Sequence, residues 1–242
     1  MSEFKFPTET IELPSKGLVY PEDNPLSSGR VEIKYMTAKE EDILTNQSYI
    51  QKGNVLDKLL ESLLVTKIKI DDLIVGDKNA ILIAARILGY GKDYEFTHGG
   101  ETHTVDLSLL DNREFDENLL ITRGVNEFSY TLPHSGVNIT YKILTGKDEK
   151  SIEAEIKGLK KLNKEISPDL STRLKYIITS VDGETETKKI REFVDNHLLA
   201  MDSRAFRNHI RGTQPDVDMN VILDSGEEVT IPIGLGFFWP DI

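Results

Sequence analysis

The stretch Gly100-Glu-Thr-His-Thr-Val-Asp-Leu107 decides how this chain is read, because a similar one returns at Gly226-Glu-Glu-Val-Thr-Ile-Pro-Ile233. Each places Gly-Glu first, then Thr and a β-branched residue, then an aliphatic residue. A glycine turn followed by alternating apolar positions is the second arm of a β-hairpin. The first arms are present too: Tyr94-Glu-Phe96 before one glycine and Met219-Asn-Val-Ile-Leu223 before the other. The chain is therefore expected to carry two similar hairpins flanking helical material. Turns of this shape often hold metal-binding cysteines, and this chain has no cysteine.

Working outward, residues 1–36 are broken by Pro7, Pro14, Gly17, Pro21, Pro25 and Gly29, which predicts an extended N-terminal arm and a short strand at 30–35. Residues 37–122 form a helical region that ends with the first hairpin. Thr37-Ala-Lys-Glu40 has capping-box spacing, Asn54 is placed to cap a helix over 55–66, and Asp77 a third. Ala80-Ile-Leu-Ile-Ala-Ala-Arg-Ile-Leu88 is apolar almost all round, the mark of a buried helix, with Gly89 and Gly91 as its stop. Residues 123–242 hold a hairpin across Pro133–Gly136, then helices. Asp148 is expected to cap one reaching about Ile166. Ser167-Pro168 starts another carrying Leu170, Leu174, Ile177, Ile178 and Val181. Two more are expected near 187–199 and 202–211, before the second hairpin and an apolar tail. A boundary falls near 111–126. The sum is an α+β chain of helical clusters and small antiparallel hairpins.

Composition narrows the function classes. Over 242 residues, 29 Lys and Arg face 41 Asp and Glu, a net charge of −12. That sign opposes non-specific attraction to nucleic acid or anionic lipid. Apolar residues at 38% suit a globular core. The start lacks an apolar signal region and no run spans a bilayer, so a soluble cytosolic protein with no membrane partner is expected.

Catalytic signatures are sparse. Gly89-Tyr-Gly91-Lys92 has Asp93 where a phosphate loop needs Ser or Thr, and dinucleotide fingerprints and nucleophile elbows are absent. His98 and His103, with Glu101, share one hairpin, but a stable metal site wants three or four converging ligands. No catalytic residue, metal or cofactor is assigned, and no small-molecule substrate. The alternative is a metal-dependent enzyme using His98, His103 and carboxylates. Arg204, Arg207 and Arg211 line one helical face opposite Phe206 and Ile210, and Lys157, Lys160, Lys161 and Lys164 form a second basic strip. Either strip fits a solvated face, a protein contact or, as a further alternative, a nucleic-acid adaptor. Phe237, Phe238 and Trp239 form an aromatic unit that either packs on the second hairpin or docks on another chain.

Several blocks together resemble the baseplate hub assembly proteins of T-even-type contractile-tailed phages. They are Ile11-Glu-Leu-Pro-Ser-Lys-Gly-Leu-Val-Tyr20, Met36-Thr-Ala-Lys-Glu-Glu-Asp-Ile-Leu44, Asp77 to Tyr94 with Arg86 and Gly91, and Phe237-Phe-Trp-Pro-Asp241. The resemblance spans most of the chain and is densest from Ile11 to Leu107. Many such proteins carry Cys-x-x-Cys knuckles, suggesting zinc, at the two hairpin turns. Here those turns are Thr97-His-Gly-Gly100 and Asp224-Ser-Gly226, knuckle-like but cysteine-less, so no zinc is carried over. The resemblance implies a non-enzymatic protein whose partners are other baseplate hub and tail proteins. It would act in the host cytoplasm, as a transient chaperone or as a structural component of the virion tail. The expected contact residues are Leu13, Leu18 and Tyr20 in the arm, Arg204, Arg207 and Arg211, and Phe237, Phe238 and Trp239 in the tail.

Overall fold

A computed structural model describes residues 7–113, 115–162 and 168–238. Strand β1 (Thr8–Glu12) pairs antiparallel with β2 (Arg30–Lys34), Thr8 opposite Lys34 and Glu12 opposite Arg30. The 13–29 connection folds back inside this ladder, with the Leu13 amide donating to the Gly29 carbonyl and Leu18, Val19, Tyr20 and Leu26 buried. From residue 7 onward the expected extended arm is thus a closed unit of the core. Gly17 makes the fold-back possible. Its φ is +77°, and a Cβ there would lie 2.5 Å from the Gly29 nitrogen and the Ser27 oxygen.

Helices α1 (Ala38–Leu44), α2 (Gln47–Lys52), α3 (Val55–Leu63) and α4 (Val75–Tyr90) follow. The capping box predicted at Thr37 forms, with the Glu40 carboxylate accepting from the Thr37 amide and hydroxyl. Helix α2 escapes the sequence reading because six residues are too few to show a period. Asn46 starts it by accepting from the Ser48 and Tyr49 amides. Helix α4 is buried on most of its surface, as its composition requires. It begins at Val75, so Asp77 lies inside the first turn and is not its cap. Its last residue is Tyr90, so Gly89 is helical and Gly91 alone, at φ +86°, ends it.

The first hairpin is β3 (Asp93–His98) with β4 (Glu101–Asp106), turning through Gly99 and Gly100. Then come β5 (Phe128–Thr131), β6 (Asn138–Tyr141), α5 (Gly146–Leu162), α6 (Asp169–Ile177), β7 (Ile178–Val181), α7 (Thr187–Asn196) and α8 (Ala200–Thr213). Asp148 sits in the first turn of α5, where its carboxylate accepts from the Thr145 amide and hydroxyl, so the predicted cap is a capping-box partner instead. The expected end of that helix, with Lys164, Ile166 and Ser167, lies outside the described residues. The helix expected through Val181 stops at Ile177. The β-branched run Ile178-Thr-Ser-Val181 instead pairs with β6, completing a three-stranded sheet in the order β5-β6-β7. The second predicted hairpin is β8 (Asn220–Ile222) with β9 (Glu228–Thr230).

Buried residues from Leu13 to Phe238 belong to one hydrophobic cluster, so the three sequence regions share a core. Among the described residues no helix is long and apolar enough to cross a membrane.

Candidate functional site

Behind any surface lies a frame of buried polar contacts, and it decides which predicted residues are free to act. Asp77 on α4 is fully buried. Its carboxylate accepts from the Ser15 amide (3.0 Å), the Ser15 hydroxyl (2.6 Å) and the Tyr20 hydroxyl (2.6 Å), while Tyr20 oxygen accepts from the Ile74 amide (3.1 Å). Burial pushes the Asp77 carboxyl up, and the hydrogen bonds from Ser15 and Tyr20 only partly offset this. Burial likewise raises the Tyr20 phenol, so it stays a donor. Leu13, Leu18 and Tyr20 were expected at a contact surface. They are 2%, 3% and 5% exposed, so they are core residues that seat the N-terminal segment on α4.

The C-terminal aromatics are corrected for the same reason. Phe237 and Phe238 are buried, Phe237 packing its ring 4.9 Å from Tyr94. Arg86 draws them in. It is almost wholly buried, donates from Nε to the Phe237 carbonyl (3.0 Å) and from Nη1 to the Gly91 carbonyl (2.8 Å), and lies over the Tyr90 and Tyr94 rings. A buried guanidinium without a carboxylate is costly unless its donors are used, and here carbonyls and ring faces use them. Trp239 lies outside the described residues.

The two echoed hairpins meet at their tips. His98 Nε2 is 3.0 Å from Glu227 Oε1, and the His98 and His103 rings are 6.5 Å apart. Both ends of the His98–Glu227 contact are well exposed. Among the described residues no three His, Cys, Asp or Glu side chains are grouped to hold a metal ion. The arrangement joins two hairpins through one solvated pair.

The arginine strip stays on the surface. Its helix is held by the β5–β6 turn: Asp202 is buried and accepts from the His134 (2.8 Å) and Ser135 (3.0 Å) amides. Burial opposes ionisation there, yet those amides keep the carboxyl below the usual carboxylate range. Phe206 fills the opposite face of α8, its ring 5.5 Å from Tyr130 and 5.2 Å from Tyr141. Locked this way, α8 turns Arg204, Arg207 and Arg211 to solvent. Arg207 Nε donates to the Ser203 carbonyl, and none of the three meets a carboxylate within ion-pair distance among the described residues. By contrast Arg30, Arg113, Arg173 and Arg191 are all ion-paired.

Beyond the C-terminal end of α8 opens a cleft of about 1040 Å³ lined by Lys16, Arg30, Arg113, Phe115, Asp116 and Gly212, among others. Leu199 and Met201, 50% and 62% exposed, stand at the other end of the helix. Sequence reading missed the cleft and these two apolar positions. Both lie where the helical period is just beginning or ending, and the cleft joins segments far apart in the chain. The lysine strip does not form a comparable unit, since Lys160 is bridged to Asp169 (3.2 Å) and Lys164 is outside the described residues. No protein-family model, curated protein or solved structure matches this chain.

Proposed function

We propose that this chain is a non-enzymatic protein that binds other tail subunits while the central hub of a contractile-tail phage baseplate is built. One observation carries the reading: the blocks that resemble hub assembly proteins interlock. Ser15 and Tyr20 of the first block bond to Asp77 of the third. The Tyr90 hydroxyl of the third block donates to Glu41 of the second (3.5 Å). Arg86 of the third block holds the carbonyl of Phe237 in the closing block. Residues scattered over the sequence thus serve one frame, which is what a shared fold would require of them. The frame takes up Leu13, Leu18, Tyr20, Phe237 and Phe238, so binding is assigned to the exposed arginine face of α8. Arginine is favoured at protein interfaces because its planar fork grips carboxylates in pairs.

The protein would act in the host cytoplasm during assembly. Co-expression with candidate hub subunits, followed by size-exclusion chromatography, tests the reading: a stable complex with a tail subunit is expected. Failure to co-elute with every hub and tail protein would remove it. Mass spectrometry of purified virions separates chaperone from component, since stoichiometric presence in the particle excludes a purely transient role.

A further inference from the structure

We propose that the arginine face of α8 and the cleft beyond it form one docking site for an extended acidic segment of a partner protein. For the identity of that partner the proposal rests on the assembly reading above.

Three arginines on one face, without carboxylate partners among the described residues, are unexpected in a chain with 41 acidic and 29 basic residues. Most of the other arginines have found an acid. Leaving this row unpaired keeps its donors available to a carboxylate from outside. The row spans about 10 Å along the helix axis. It ends at Gly212, which lines the cleft, and Arg113 bridges the two by donating from Nη1 to the Arg211 carbonyl (3.4 Å). Across the cleft Lys16 adds a further cation, while Arg30 is held by Glu12, and the buried Leu13 and Phe115 also line it. An extended chain rises roughly 3.3 Å per residue, so about three residues cover the row and further ones enter the cleft. The exposed Leu199 and Met201 lie at the same end of α8 as Arg204.

The charge pattern favours an acidic protein segment over nucleic acid. The cleft wall also carries Glu12 and Asp116. Glu12 is paired with Arg30 (2.7 Å), whereas Asp116 accepts from the Asn118 amide (2.9 Å) and meets no cation among the described residues. A peptide can place its acids against the arginines and neutral residues against those two positions. A continuous phosphate backbone cannot, and the net charge of −12 repels a long polyanion more strongly than a short acidic segment.

The test is fluorescence anisotropy with a labelled peptide of roughly ten residues, rich in Glu and Asp with interspersed Leu, and with a duplex DNA oligonucleotide. Three proteins are compared: wild type, Arg204→Ala/Arg207→Ala/Arg211→Ala, and Lys157→Ala/Lys161→Ala/Lys188→Ala. The last loses the same charge from exposed lysines elsewhere. Expected is salt-sensitive peptide binding that weakens at least roughly tenfold in the arginine variant, or about 1.4 kcal/mol, and less than about twofold in the lysine variant. Equal loss in both variants, no loss in either, or tighter binding of DNA than of peptide overturns the proposal. In affinity purification from infected cells, an arginine variant that keeps its tail partners sinks this site while leaving the assembly reading intact. A wild-type protein that captures no tail subunit sinks the assembly reading, whatever the peptide shows.

Discussion

Replacing Glu40 probes the frame at its most concentrated point. The Glu40 side chain is fully buried, and its two oxygens accept four hydrogen bonds: from Lys34 Nζ (2.8 Å), Ser62 Oγ (2.6 Å), and the Thr37 amide (2.9 Å) and hydroxyl (2.6 Å). These tie β2, α3 and the start of α1 to one carboxylate. Burial alone would raise its pKa, but Lys34, Ser62 and Thr37 together hold it down at about 2, from an ordinary 4.5. A depressed acid stabilises the fold above its unfolded pKa, and that contribution is lost as pH falls through the folded value. The shift corresponds to roughly 3 kcal/mol, and about 2 after allowing for the partly solvated Lys34 ammonium. Glu40→Gln keeps the shape and removes the charge, so it should cost about 2 kcal/mol at pH 7. Glu40→Ala also breaks the capping box and removes the buried carboxylate that Lys34 and Ser62 bond to, raising the cost to about 3–4 kcal/mol. Urea unfolding followed by circular dichroism measures both. Between pH 7 and pH 3 the gap between wild type and Glu40→Gln should shrink by about half, because pH 3 lies between the two pKa values. A gap that is unchanged with pH, or below about 0.5 kcal/mol at pH 7, refutes the reasoning.

Other parts of the frame give sharp expectations. Tyr20→Phe should lose about 1–3 kcal/mol in the same unfolding assay, since the Ile74 amide and the Asp77 carboxyl each lose a buried partner. Gly17→Ala should destabilise by more than about 2 kcal/mol or abolish soluble expression, because the new Cβ meets backbone at 2.5 Å in a left-handed conformation. Phe237→Ala should cost about 3–5 kcal/mol, a penalty an exposed docking residue would not show. His98→Ala should change stability by less than about 0.5 kcal/mol, as its contact with Glu227 is solvated, and should leave partner binding intact. Loss of function on that substitution would revive the histidine-based alternative.

Local signals in the sequence were strong where one element carries its own instructions. The two Gly-Glu hairpins, the Thr37–Glu40 capping box and the apolar helix around residues 80–88 needed only turn chemistry and periodicity. What stayed hidden depends on distant partners. Nothing near Ser15 or Tyr20 announces that Asp77, about sixty residues on, will bury them. An apparently loose arm thereby becomes core. The Phe237-Phe238 pair reads as a sticky end until Arg86 is seen to hold its carbonyl. Residues 178–181 suit either a helix end or a strand, and pairing with β6 decides. The arginine row was legible as a helical face, but not the cleft it leads to, whose walls come from residues 12–14, 16, 28–30, 112, 113, 115, 116 and 212.

The proposed assembly contacts run through the α8 arginine face, with Leu13, Leu18, Tyr20, Phe237 and Phe238 serving the core. Affinity purification of the tagged chain from infected cells, read by quantitative mass spectrometry, measures this directly. The account predicts that wild type retains a hub or tail subunit and that a folded Arg204→Glu/Arg207→Glu/Arg211→Glu variant loses it. Undiminished capture by that variant, or no tail protein captured by wild type, would contradict it.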